Sequence, residues 1–387
     1  MNKTKNVKEK LLSFCEKKGL DIYNSFPIIS QEKDLLFLNA SVTPFKYLFL
    51  EEEYSKKNIA LIQKCIRAGG KAYSLEEIKK SNYCNTFFEM FGSIFFNSNC
   101  CEVMNFLFEL LEYINIDKNM FYFIVPLGNA SFKEALLKNG IEMNKIFQIK
   151  GNDIFWTEWR FGKESLVGQG ITLIYSRNNK KISSAEELLH QEDIYIPLLN
   201  VININAKEED GTVKVIKNQG FEIAIGIERL LAIKQGCNHY GIDSINDQFK
   251  CVESFFEKKN IDIPQNELKI ITDHLRTIGV LIDENVVPFK NKQGYVLRKM
   301  IRTVIEIFII KDEEMDINDL LFDFYKKNYP KTEMDTIVKI INEEGIIFKN
   351  NIDKISKKLS SIKMNENQIK ETYGISPNLL KIIKEIH

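Results

Sequence analysis

Along the first part of the chain the apolar residues come in short runs or alternate with polar ones. Leu35-Leu36-Phe37-Leu38, Ile94-Phe95-Phe96, Phe121-Tyr122-Phe123-Ile124-Val125, Ile171-Thr172-Leu173-Ile174-Tyr175 and residues 198–204 are bounded by turn residues, a pattern that predicts strands. Asp210-Gly211, set between alternating flanks, predicts a hairpin turn. Residues 6–19 predict a helix, with Val7, Leu11, Leu12 and Phe14 on its apolar side and Gly19 as its stop. Beyond about residue 236 the period lengthens. Segments 268–281, 296–310, 317–325, 334–347 and 352–362 carry apolar residues at threes and fours and predict helices joined by short polar loops. The pattern predicts an α+β protein in two domains, 1–236 with a sheet and interspersed helices and 237–387 all-helical. Gly236 and Gly241 both interrupt the pattern near the join.

Composition narrows the classes. A chain of 387 residues with 44% hydrophobic content can bury one large core or two moderate ones, so disorder is excluded. Lys and Arg number 53, as do Asp and Glu, so no net field advertises nucleic acid and such a partner needs a local basic patch. The seven cysteines include no Cys-x-x-Cys pair and no cluster at zinc-ligand spacing, which argues for buried free thiols, with Cys100-Cys101 as apolar filler, and for no zinc. The amino terminus is charged and leads into an amphipathic helix, and no apolar run approaches about 18 residues. A cytoplasmic protein with no membrane segment is expected.

Two stretches carry chemistry. Arg67 follows the apolar run at 59–62 and precedes Ala68-Gly69-Gly70, so a guanidinium fork stands beside a segment whose glycines let backbone approach a ligand. Arg229 is preceded by Gly226 and Glu228 and opens a helical run, where its charge adds to the positive end of a helix. Both suit a polyphosphate; each taken singly also suits a surface or interface salt bridge.

The residues resemble the catalytic half of the alanyl-tRNA synthetase family, which is of class II. The resemblance rests on Leu35-Leu36-Phe37-Leu38-Asn39-Ala40, Pro44-Phe45-Lys46, Cys65-Ile66-Arg67-Ala68-Gly69-Gly70-Lys71, Thr86-Phe87-Phe88-Glu89-Met90-Phe91-Gly92 and Asp153-Ile154-Phe155-Trp156. It continues through Asp210-Gly211-Thr212, Gly226-Ile227-Glu228-Arg229-Leu230, Asp273-His274-Leu275-Arg276, the block from Gly294-Tyr295 to Arg302, and Thr372-Tyr373-Gly374. The blocks stand in the family's order over nearly the whole chain.

The resemblance implies a class II antiparallel sheet flanked by helices that activates a small amino acid with ATP and Mg2+, then a helical domain that reads the tRNA acceptor stem. It implies that Arg67 holds the α-phosphate and the substrate carboxylate, that Arg229 holds the γ-phosphate, and that Phe88 stacks on adenine. Asn85, Glu89, Gly226 and Glu228 belong to the same ATP-binding set. Trp156, Met90, Asn200, Glu222 and Ala224 are implied to line the amino-acid pocket, with Glu222 in the place of an aspartate that pairs with the substrate amine. Lys290, Arg298, Arg302 and Glu371 are implied to meet tRNA, Arg298 and Arg302 sharing one helix face four residues apart.

The departures from the family pattern are equally legible. Ala72-Tyr73-Ser74 replaces a His-Asn-Asp run, Cys84 and Asn85 replace a histidine pair, and residues 162–170 replace a Gly-Pro-Cys loop. Glu222 is longer than aspartate and Ala224 adds a methyl, so the pocket loses space. Lys290 and Glu371 replace the residues with which the family reads a G:U pair. The chain stops at His387, and the editing and oligomerisation domains are expected to be absent. His190, His239 and His274 are expected to be packing or surface residues. Three readings stay open: an aminoacyl-adenylate former that charges tRNA, a non-catalytic tRNA- or protein-binding paralogue, and a ligase that passes an adenylated carboxylate to an amine or carrier.

Overall fold

The computed structural model describes residues 3–32, 35–51, 57–68, 75–151, 155–161, 166–178, 180–189, 191–312, 315–357, 368–369 and 375–386. The alternating segments pair into one sheet: β1 (Asp21–Tyr23), β2 (Ile59–Ile66), β3 (Phe87–Phe96), β4 (Phe121–Pro126), β5 (Ile146–Ile149), β6 (Trp159–Arg160), β7 (Leu166–Ser176), β8 (Tyr195–Glu209) and β9 (Thr212–Gly226). The order is β1-β2-β3-β9-β8-β7-β4-β5, with β6 on β7. Its centre is antiparallel as expected, whereas the outer pairs β1-β2 and β4-β5 are parallel, so the sheet is mixed. Asp210 and Gly211 both take positive φ in the β8–β9 turn, the geometry that a two-residue hairpin with matching twist demands. The run at 35–38 makes no strand; only Phe37 bridges, to Ile29, and Leu36 is exposed, because a two-residue pairing cannot bury both faces.

Helices α1 (Lys3–Lys17), α2 (Lys46–Leu50), α3 (Leu75–Lys80), α4 (Cys100–Tyr113), α5 (Ala130–Lys138) and α6 (Ile227–Gln235) are followed by α7 (Asn246–Lys258), α8 (Gln265–Asp283), α9 (Lys292–Lys311), α10 (Asn318–Tyr325), α11 (Lys331–Ser356) and α12 (Pro377–Ile386). Gly19 stops α1 at a φ of 81°. Asn99 starts α4 with a reciprocal cap, accepting from Glu102 N–H while Glu102 returns its carboxylate to Asn99 N–H. The two helices expected at 334–347 and 352–362 are one up to Ser356. Buried Ile337, Val338, Ile341, Glu344, Gly345, Phe348 and Ile355 keep a helical period straight through the polar stretch Lys349-Asn350, which lies on the solvent side.

The chain divides into two compact units, Met1–Arg67 with Ser81–Asn246, and Ala68–Lys80 with Asp247–His387. In the first, Phe45, Phe49, Ile59, Leu61, Ile94, Phe96, Trp159 and Ile202 form a core on one face of the sheet. In the second, α8 is buried along nearly its whole length and Tyr325 donates its hydroxyl to Leu275 O at 2.7 Å. Asp273 and His274 lie buried in α8, 3.1 Å apart, at packing positions as the histidine reading expected. All seven thiols are free, but only Cys15 and Cys65 are buried; Cys100 and Cys101 are half-buried in the first turn of α4, so they are not core filler. Among the described residues no helix is long and apolar enough to cross a membrane.

Candidate functional site

Residues opposite one another in register share a sheet face. Met90 faces Gln63 and Gly226; Gly92 faces Leu61 and Ala224; Ala224 faces Asn200, which faces Thr172; Ile94 faces Glu222, which faces Ile202. With Phe88 two residues before Met90, this single face therefore collects Phe88, Met90, Asn200, Glu222, Ala224 and Gly226, six of the positions singled out in the sequence. Ile66 pairs with Phe87 and Met90 with Gly226, so Arg67 and the turn into α6 leave the sheet at the same end of β3.

Arg67 N–H donates to Thr86 O at 2.9 Å, which extends the β2–β3 pairing by one step, and its Nε donates to Asn39 O at 3.2 Å. The guanidinium carbon stands 5.0 Å from the Phe88 ring centre and 5.9 Å from that of Trp156. Each such stacking contributes about 0.5–1 kcal/mol where water has access. Trp156 takes a φ of 56°, left-handed backbone that a bulky residue adopts only when its surroundings impose it. Arg67 and Trp156 are half-buried and Phe88 is 8% exposed.

Glu222 lies beneath this group, 3% exposed. Ser41 Oγ donates to its Oε1 at 2.6 Å, and Val42 N–H is a second donor. Burial pushes its carboxyl up to about 7; Ser41, Val42 and the charge of Arg67 pull the other way without overcoming it. Gly92 makes the Ser41 approach feasible, since a Cβ on it would stand 2.3 Å from Ser41 Cβ and Oγ. Beside it, Thr172 Oγ1 donates to Phe155 O at 2.5 Å, which holds the segment bearing Trp156 on β7, and lies 2.8 Å from Asn200 Oδ1.

Arg229 in the first turn of α6 donates from Nη1 to Pro197 O at 2.7 Å and from Nε to Tyr83 O at 3.3 Å, which aims a half-buried guanidinium. Three neighbours in the expected ATP set point elsewhere. The Glu228 carboxylate is buried and accepts Glu89 N–H at 3.1 Å on both oxygens. Glu89 lies on the opposite face of β3 from Phe88 and pairs with Lys8 of α1. Asn85 is buried, its Oδ1 accepting from His239 Nδ1. These are corrections to the expected placement: strand alternation carries Glu89 away from the site face, and Asn85 is drawn into the core by a histidine 154 residues on.

In the second unit Lys290 is exposed and Arg298 is half-buried, its guanidinium carbon 5.5 Å from the Tyr295 ring centre. Arg302 does not form a solvent stripe with Arg298. It is buried, with Nε donating to Glu344 Oε1 at 2.7 Å and its guanidinium carbon 5.3 Å from the Phe348 ring centre. Glu371 lies outside the described residues, as do Thr372, Tyr373 and Gly374, residues 69–74, Asp153, Ile154 and residues 162–165 of the altered loop.

Among the described residues the carboxylates of Glu89 and Glu228 are already engaged, Glu89 by Lys8 and Glu228 by a backbone N–H. Among the described residues no group of three acidic, histidine or cysteine side chains gathers at ligating range. Sequence reasoning missed Asn39, Ser41 and Thr172; His239 is a buried packing residue, one of the two roles expected of it, and what the sequence did not show is its partner Asn85. Asn39 follows the 35–38 run within a quoted motif, but no spacing rule marks a carbonyl or hydroxyl that acts through a neighbour.

Residues 6–385 match the family described as tRNA synthetases class II (A). The chain is 28% identical over 366 residues to the alanine-tRNA ligase of Vesicomyosocius okutanii subsp. Calyptogena okutanii, a match covering 91% of this chain and 42% of that protein. It is 30% identical over 319 residues to the alanine-tRNA ligase of Buchnera aphidicola subsp. Schizaphis graminum, covering 79% and 36%. The chain thus spans less than half the length of these curated relatives. Among solved structures, a pyrrolysyl tRNA synthetase from Desulfitobacterium hafniense aligns at 10% identity and a TM-score of 0.36 over 62% of this chain and 72% of that one.

Proposed function

We propose, for a chain that belongs to the class II (A) tRNA synthetases, that it activates a small amino acid with ATP and transfers the aminoacyl group to tRNA. The observation that carries this reading is the guanidinium of Arg67 against the rings of both Phe88 and Trp156, at the end of β3 where Arg229 also leaves the sheet whose one face bears Glu222, Ala224 and Asn200. A substrate carboxylate oxygen attacks the α-phosphorus of ATP; the new oxygen–phosphorus bond forms as the bond to pyrophosphate breaks. The terminal ribose hydroxyl of tRNA then takes the acyl group and releases AMP.

The chain's part is charge and position. Arg67 neutralises the α-phosphate and the attacking carboxylate, Arg229 the outer phosphates, and Phe88 offers its ring to adenine. Glu222 faces the substrate amine, while Trp156, Met90, Asn200 and Ala224 bound a space suited to a small side chain. Glu228 and Gly226 set the start of α6. Mg2+ would travel with the phosphates and screen their charge. In the second unit, Lys290 and Arg298 are proposed to meet the acceptor stem, Arg302 acting by holding α9 on α11, and Glu371 is proposed for the same surface. Adenylation is proposed for residues 1–236 and acceptor-stem reading for 237–387, while the compact units of the fold divide after Asn246 and count residues 68–80 with the second. A cytoplasmic location accords with this work.

Amino-acid-dependent exchange of pyrophosphate into ATP tests the reading across the standard amino acids. Exchange with one small amino acid, lost in Arg67→Ala and Arg229→Ala, is expected; no exchange and no ATP binding by calorimetry would overturn it. A repurposed or non-catalytic paralogue is the second reading, favoured by the engagement of Asn85 with His239 and of Glu89 with Lys8. Under it tRNA binding persists without exchange, and exchange without tRNA charging indicates a ligase that uses another acceptor.

A further inference from the structure

We propose that Ser41 is a positioning residue of the site: its hydroxyl ties Glu222 to the same short segment whose Asn39 carbonyl holds Arg67, so the pocket acid and the phosphate arginine are set by one piece of backbone. The inference deepens the adenylation reading and, in its kinetic part, rests on it.

The geometry is continuous. Ile66 N–H donates to Leu38 O at 2.9 Å and Arg67 Nε to Asn39 O at 3.2 Å, so the segment that follows the 35–38 run lies along the end of β2. Two residues on, Ser41 Oγ reaches Glu222 Oε1 at 2.6 Å and Val42 N–H adds a second bond to the same carboxyl. Ser41 is fully buried, so its hydroxyl has no water to turn to. Gly92 is the third part: only a residue without Cβ leaves room for Ser41 against β3. A fixed carbonyl on Nε removes one rotation of the Arg67 fork, whose guanidinium carbon stands 5.0 Å from the Phe88 ring centre and 5.9 Å from that of Trp156.

Glu222 and Arg67 are thereby linked through residues 39–42 as well as by charge. A cationic amine arriving at Glu222 competes with the Ser41 hydroxyl for the carboxyl, and any slackening passes to the carbonyl on Arg67. The titratable and charged groups that face Glu222 are Arg67 and Cys65 of β2; the Cys65 thiol, pushed far up by burial, stays protonated throughout the working range. Its partners across the strands, Ile94 and Ile202, carry no charge.

The chain has two tryptophans, Trp156 and Trp159, so Trp159→Phe leaves Trp156 as the sole emitter beside Arg67. In that background Ser41→Ala is expected to move the Trp156 emission toward that of Arg67→Ala. In pyrophosphate exchange it is expected to lower kcat about tenfold to a hundredfold and to shift the acid limb of the pH profile up by about one unit, because a bond favouring the ionised carboxyl is gone. Glu222→Gln keeps an acceptor for Ser41, so it should leave the emission in place and abolish the limb. This variant stands in if Ser41→Ala does not fold. Unchanged emission in Ser41→Ala, or a lower kcat with the limb unmoved, overturns the proposal, as does a limb that persists in Glu222→Gln. If the unaltered protein shows no exchange, the adenylation reading fails, while the emission comparison still decides the role of Ser41.

Discussion

Arg67 and Arg302 are both arginines packed on a phenylalanine with a glutamate in reach, yet the two regions use the same parts oppositely. Arg302 is buried and bonded directly to Glu344, so charge, acid and ring close on one another inside the helical unit. Arg67 is half-buried and its glutamate is bonded to Ser41 instead, while a second ring, Trp156, stands on it. The acid beside Arg67 is held by a serine hydroxyl, and the acid beside Arg302 by the guanidinium itself.

The comparison breaks most plainly on stability. Arg302→Ala leaves the Glu344 carboxylate buried without its cation and should cost about 3–5 kcal/mol in denaturant unfolding, whereas Arg67→Ala should cost less, about 1–2 kcal/mol for the two ring contacts it loses. Activity should reverse the order: Arg67→Ala is expected to lower pyrophosphate exchange by about a hundredfold to a thousandfold, the loss that follows removal of one charged donor from a phosphate. Gly92→Ala places a methyl 2.3 Å from Ser41 and should cost about 1–3 kcal/mol, with the Trp156 emission shifted as well.

A pH series sharpens the contrast. Burial raises the Glu222 carboxyl in the folded state to about 7, above its unfolded value, so the folded chain holds more protons over that interval. Its contribution to stability is therefore fully present below the unfolded pKa and is lost as pH rises through about 7. Unfolding midpoints across this window should fall in the unaltered chain and fall less in Glu222→Gln. The smallest effect is expected for Arg298→Ala: within about 0.5 kcal/mol in stability, and a reduction of about one in the salt slope of tRNA binding if its half-exposed guanidinium meets a phosphate.

The short apolar or alternating runs at 121–125, 171–175 and 198–204 were readable as strands because each buries one or both faces of a sheet. The Asp210-Gly211 turn was readable because few other residues take positive φ so easily. Asn85 and Glu89 stood close to Phe88 in sequence and looked like members of the same site, but strand alternation sends Glu89 to the opposite face and His239 holds Asn85 in the core. Arg302 stood one turn from Arg298 and was read as its companion, but its face is the one α11 covers with Glu344 and Phe348.

By itself the sequence determined the α+β order of elements, the helical second half and the family, since these follow from local period and from motifs whose spacing survives without contacts. The tertiary structure alone decided which members of those motifs share one sheet face. That choice is made by register, which put Met90, Asn200, Glu222 and Ala224 in adjoining rows of one face, and by long-range partners such as Ser41 for Glu222 and His239 for Asn85. A hydrogen bond acts within about 3 Å, and Ser41 and Glu222, like Asn85 and His239, come that close from more than a hundred positions apart in the chain.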